Sequence, residues 1–124
     1  MSPAGAHILL VDDNLKGVEF LEVRLRALGY RTTLAHNGEV ALGVVERDRP
    51  DAVVLDVTMP EMNGYQACRA MKRMAPELPV VILTGKTEAA DRFWAIQSGA
   101  DVFLNKPIDP KTVVETLIGL LERR

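Results

Sequence analysis

Ile8-Leu9-Leu10-Val11-Asp12-Asp13 is a short apolar run that stops on two acids, and the design returns in Val53-Val54-Leu55-Asp56. A continuous apolar run of this length reads as a strand buried on both faces, as in a parallel sheet. The acid then emerges where the strand leaves the core. Two later runs end in Thr84 and Lys106. Three carboxylates, a hydroxyl and an ammonium gathered at the carboxyl ends of parallel strands suit a site that binds a divalent cation and handles phosphate.

Outward from these runs the chain alternates strand-like and helical patterns, with no low-complexity segment, long linker or internal repeat. Strands are expected near His7 to Val11, Arg31 to Ala35, Ala52 to Leu55, Val80 to Leu83 and Val102 to Leu104. The stretches between them can hold crossover helices. Val18, Leu21, Leu25 and Leu28 recur at helical spacing, and Gly29 follows as a stop. A second helix starts at Asn37-Gly38; Ala67, Met71 and Met74 mark a third that ends before Pro76. Val113, Leu117, Leu120 and Leu121 mark a terminal helix opening after Asp109-Pro110. Five βα units with right-handed crossovers make a doubly wound α/β domain with a five-stranded parallel sheet.

The chain has 124 residues, 48% of them apolar, which is enough for a core that folds as one domain. Fifteen basic residues against seventeen acidic ones, with no basic tail, argue against a general electrostatic grip on nucleic acid or anionic membrane. Cys68 is the single cysteine and lies in a helical stretch, so it reads as a packed thiol in a reducing, cytoplasmic setting. Met1 to Ala6 is too short and polar for a signal peptide, and no apolar run approaches the ~20 residues that span a bilayer.

Asp12-Asp13, Asp56, Thr84 and Lys106-Pro107, each after its strand, together with Met59-Pro60, Asn63-Gly64 and the approach Ser98-Gly99-Ala100-Asp101-Val102-Phe103-Leu104-Asn105-Lys106-Pro107, resemble the signature of the response-regulator receiver domain. The resemblance runs from His7 to Glu122 and implies one receiver domain with the flavodoxin-like strand order 2-1-3-4-5. It also implies a cis peptide before Pro107.

The acids can be read without the name. Carboxylates a few ångströms apart repel by roughly 4 kcal/mol at an effective dielectric of about 20, so they need a compensating cation. Mg²⁺ fits, because it prefers oxygen ligands and leaves room for phosphate, and no His or Cys cluster points to a softer metal. The resemblance implies that Asp13 and Asp56 ligate the ion, that Asp12 acts partly through water, and that the backbone carbonyl of Thr58 completes the set. It further implies that Asp56 accepts a phosphoryl group from a histidine kinase or phosphotransfer protein, making the domain a regulatory phosphoacceptor rather than a conventional enzyme. Lys106 then neutralises charge, Thr84 hydrogen-bonds a phosphoryl oxygen, and the backbone amides near Thr58 and Gly85 take the others. Phe103, three positions before the lysine, is the implied aromatic switch partner of Thr84. The fourth helix, fifth strand and fifth helix are the implied output face, which serves a downstream protein, an output domain beyond this chain, or a homodimer.

Phe103 stands where Tyr is frequent and has no phenolic hydroxyl to offer. Thr58 and Lys86 occupy positions that vary in the family and influence phosphoryl lifetime. Phe93 and Trp94 cannot both face the core, which leaves one as an apolar contact for a partner. His7 and His36 have no sequence context for catalysis or metal binding.

Taken singly, each motif has a plainer meaning: Asp12-Asp13 as helix caps, Asp56 and Thr84 as turn residues, Lys106 as a solvated loop residue. A haloacid-dehalogenase-type phosphatase would want a second acid where Thr58 stands, and a nucleotide-binding enzyme would want a glycine-rich loop in place of Asp12-Asp13-Asn14-Leu15. The remaining alternative is a receiver-shaped interaction module that works without phosphorylation.

Overall fold

The computed structural model describes residues 5–13, 18–56, 63–85, 96–107 and 109–123. Five strands, β1 (His7–Val11), β2 (Arg31–Ala35), β3 (Ala52–Asp56), β4 (Val80–Thr84) and β5 (Val102–Asn105), form one parallel sheet in the order β2-β1-β3-β4-β5. Helices α1 (Glu19–Ala27), α2 (Gly38–Arg47) and α3 (Asn63–Met74) follow the first three strands, and a C-terminal helix spans Pro110–Glu122. Residues 96–98 are helical ahead of β5. The expected doubly wound architecture and strand order are both present. No described helix is long and apolar enough to cross a membrane.

Alternation along the strands sorts the core into two layers, as a pleated sheet requires. Leu9, Val11, Val53, Leu55, Val80 and Ile82 pack with Val44 and Val45 of α2 and Cys68 and Met71 of α3. Ile8, Leu10, Val54, Val81 and Leu83 face the other way, onto Leu21 and Leu25 of α1 and Val113, Leu117 and Leu121 of the C-terminal helix. Every residue of β1 and β4 is buried. Each fully buried Leu or Ile contributes ~1.5–3 kcal/mol relative to exposure, so the central strands hold the sheet in place. The edges differ: β2 carries Arg31, Thr32 and Thr33, and only Ala35 of it is buried. A polar edge discourages pairing with another chain.

Local chemistry sets the helix ends. The Asn37 side chain accepts a hydrogen bond from Val40 N at 2.8 Å, capping α2. Asp109 accepts from Lys111 N at 2.9 Å while Pro110 begins the C-terminal helix. After α1, Gly29 adopts φ +94°, and the bonds Gly29 N to Arg26 O and Tyr30 N to Leu25 O, each 3.0 Å, close a Schellman turn.

Two helix stripes differ from expectation. Leu28 is half exposed because it already lies in the turn that ends α1, where the 3.6-residue period no longer governs. Met74 is exposed too, because the buried face of α3 passes through Ala67, Cys68 and Met71 to Ala75. On the C-terminal helix Val114 is buried and Leu120 only partly so. Phe93 and Trp94 lie outside the described residues.

Candidate functional site

The strand order places β3 between β1 and β4, so the acids of β1 and β3 are neighbours by construction. Val11 pairs with Leu55, which leaves Asp12 and Asp56 as the next residues on adjacent strands. On the other side Asp56 pairs with Leu83, which puts Thr84 one step further on. Asp12 donates its N–H to Ala35 O at 3.0 Å, extending the β1–β2 ladder by one bond and holding Asp12 buried. Asp13 is exposed. Thr84 is buried at the end of β4, and its carbonyl accepts the Lys106 N–H at 2.7 Å, which fixes the lysine backbone beside the strand. The Lys106–Pro107 peptide is cis.

Asp56 forms the centre of this edge. Its side chain is only 4% exposed, and Oδ2 makes an ion pair with the Lys106 ammonium. Among the described residues, Oδ1 is buried with no hydrogen-bond partner. A carboxylate oxygen in that state is costly, since a buried polar group without a partner loses about 1–3 kcal/mol, and more when charged. One lysine does not satisfy this carboxylate; the oxygen it leaves is a ready ligand for a hard cation.

Asp12, Asp13, Asp56, Thr84 and Lys106, expected at one sheet edge, lie at the carboxyl ends of β1, β3, β4 and β5, and Gly85 follows Thr84. Thr58 and Lys86 lie outside the described residues, as do Met59 and Pro60. Among the described residues, nothing lies within 4 Å of where a side chain at Gly85 would begin, so these residues do not demand a glycine there. Phe103 lies on the edge strand β5 and is 37% exposed. Cys68 is fully buried, and burial raises its thiol pKa to about 11, with a Ser98 hydrogen bond opposing the shift. It is a packed, inert thiol, as expected.

Sequence did not reveal the grooves. One of about 700 Å³ lies at the opposite end of the strands, lined by residues that include Arg49, Pro50, Leu78, Pro79 and Asp101. Another, about 510 Å³, runs along α1 beside Phe20 and Val23, which are 78% and 68% exposed. The spacing of Phe20, Val23 and Ala27 is helical and was a legible signal for a second apolar stripe.

Known proteins share this arrangement. Residues 8–118 match the model of the response regulator receiver domain. The response regulator MprA of Mycobacterium avium (strain 104) is 38% identical over 116 residues, covering 94% of this chain and 51% of MprA. The chain thus spans about half the length of the curated relatives it matches. The receiver domain of sensor histidine kinase PA1611 from Pseudomonas aeruginosa PAO1, solved with a magnesium ion coordinated in its active site cleft, superposes with a TM-score of 0.84. It is 34% identical, over 96% of this chain and 99% of that one. A CheY-like receiver domain protein from Methanospirillum hungatei JF-1 reaches 0.89 at 22% identity, over 97% and 96% of the two chains, which speaks to the fold. With the sheet order, the strand-end residues and these matches in agreement, the chain belongs to the response regulator receiver domain family.

Proposed function

We propose that this receiver domain is a phosphorylation-controlled switch in a two-component or phosphorelay pathway, with Asp56 as its phosphoacceptor. The observation that carries the reading is the state of Asp56: nearly sealed from water, one oxygen paired with Lys106 and the other without a partner among the described residues. A carboxylate held this way at a strand end is oriented and only half neutralised. On this reading Asp12, Asp13 and Asp56, with the Thr58 carbonyl, hold Mg²⁺. The bound ion supplies charge neutralisation for the carboxylates and for the incoming phosphoryl oxygens.

Asp56 attacks the phosphorus of a phosphohistidine on a histidine kinase or phosphotransfer protein. A P–O bond forms, the P–N bond breaks, and the donor imidazole leaves with the electron pair. Lys106 keeps its ammonium beside the developing charge, while the Thr84 hydroxyl and the Gly85 amide take phosphoryl oxygens. Thr58 and Lys86 modulate how long the phosphoryl group survives attack by water.

The signal follows from Thr84. Drawing its hydroxyl toward the phosphoryl group opens space for Phe103, whose ring starts partly exposed. Completing the burial of a ring contributes on the order of 1 kcal/mol, close to the ~1.4 kcal/mol that shifts a two-state equilibrium tenfold. The fourth helical stretch, β5 and the C-terminal helix carry the change to a downstream protein, to an output domain, or to a second copy of the chain.

The test is intact-protein mass after incubation with a small-molecule phosphoryl donor, with and without Mg²⁺, for the native chain and for Asp56→Asn. A single Mg²⁺-dependent adduct that the variant lacks is the expected result. Mg²⁺ binding with no adduct would replace this reading with that of a phosphorylation-independent interaction module.

A further inference from the structure

At the opposite end of the sheet, His7 opens the interior strand β1 and is 2% exposed, an unusual place for an ionisable group. Its ring Nε2 lies 2.7 Å from Thr33 Oγ1 on β2, and among the described residues its buried Nδ1 makes no hydrogen bond of good geometry, the Arg49 carbonyl only favouring the protonated ring. Its backbone N–H donates to Asp51 Oδ2 at 2.7 Å, and its carbonyl accepts from Asp51 N at 2.6 Å. One residue thus joins the starts of β1, β2 and β3.

Either neutral tautomer meets the Nε2–Thr33 contact, since a hydroxyl donates or accepts. The Arg49 carbonyl is the acceptor that favours the protonated ring. A second proton would add a buried N–H donor and a full charge. The charged groups around the ring do not absorb that charge. Arg31, the register partner of His7 on β2, brings a second cation. Asp48, at the end of α2, is gripped by the Arg31 guanidinium through bonds of 2.9 and 3.1 Å. Asp51 already takes the His7 backbone N–H.

We infer that His7 is an acid-sensitive latch: protonating its sealed imidazole releases the junction where β1, β2 and β3 begin. Burial and then Arg31 lower the His7 pKa, and they outweigh Asp48, the Arg49 carbonyl and Asp51, which favour the cation. The unfolded chain titrates near the ordinary value of about 6.5, above the folded value. Between the two the unfolded chain binds the extra proton. The stabilisation is therefore complete above about pH 6.5 and is lost as pH falls through the folded value.

Two measurements on the full chain test this. In the native protein, NMR titration of the His7 ring should show it neutral well below pH 6.5, and its protonation should coincide with faster amide exchange in residues 7–9, 31–33 and 52–54. In urea titrations, the native unfolding constant should rise more steeply with acid than that of His7→Gln, by an extra factor approaching tenfold per pH unit, the limit for one proton. A ring that protonates at or above pH 6.5, or protonates with no change in amide exchange at that edge, overturns the inference. So do parallel urea profiles; if His7→Gln does not fold, the native titration decides alone.

Discussion

The two ends of the sheet use the same residue types in opposite ways. At the amino end Asp101 takes the Val80 N–H at 2.8 Å and the Lys72 ammonium at 3.0 Å, and Lys72 also donates to Leu78 O at 2.9 Å. Asp51 takes a backbone N–H from His7, and Asp48 is forked by Arg31. These carboxylates are engaged by donors that belong to the fold. At the carboxyl end Asp56 is nearly buried, yet only Oδ2 has a partner among the described residues. Charge at one end closes the structure, and charge at the other is left incomplete. Of the two buried side-chain atoms without a partner among the described residues, His7 Nδ1 lies at the amino end, and Asp56 Oδ1 is the one on a carboxylate.

The contrast breaks most visibly under exchange of acids. Asp56→Asn should abolish the Mg²⁺-dependent phosphoryl adduct altogether. Asp101→Ala, at the other end, should leave the adduct intact by mass but lower stability by about 2 kcal/mol, because the Val80 amide and Lys72 both lose a charged acceptor. Loss of the adduct in Asp101→Ala would show that the two ends are not independent. The urea midpoint checks the stability change.

A smaller effect is expected at the shared cation. Lys106→Met removes the counter-charge that the described residues give Asp56 and should cost about 1–2 kcal/mol without divalent ions. This is below the 3–5 kcal/mol of a fully buried pair because the lysine is about a third exposed. Added Mg²⁺ should then raise the melting temperature more in Lys106→Met than in the native chain. An equal rise would mean that lysine and metal do not compensate the same carboxylate. Smallest of all, Gly85→Ala should raise the melting temperature, with a stability gain of about 0.4–1 kcal/mol, since its Cβ enters open space among the described residues and the substitution restricts the unfolded chain. A clear destabilisation would place an unrecognised contact at that loop.

Much of the site was legible because it sits at strand ends. An apolar run that stops on Asp56 or Thr84 announces both the strand and its exit, so the residues could be gathered before any contact was known. The chain-local signals also held for the caps Asn37 and Asp109 and for the stop at Gly29. Leu28 and Met74 differ from expectation for different local reasons: Leu28 lies in the turn that ends α1, and Met74 lies off the buried face, which runs from Met71 to Ala75. His7 carried no readable signal, because its partners Thr33 and Asp51 are 26 and 44 residues away.

By itself, then, the sequence determined the order of strands and helices, the two-sided burial of the central strands, and which polar side chains end them. These follow from periodicity and from the preferences of near neighbours. Only the tertiary structure decided that Lys106 would meet Oδ2 of Asp56 and leave Oδ1 without a partner among the described residues, and that His7 would be sealed between Thr33 and Asp51. Pairing between atoms far apart in the chain depends on strand register and packing. One ångström separates a hydrogen bond from an orphaned group, and no local pattern encodes that distance.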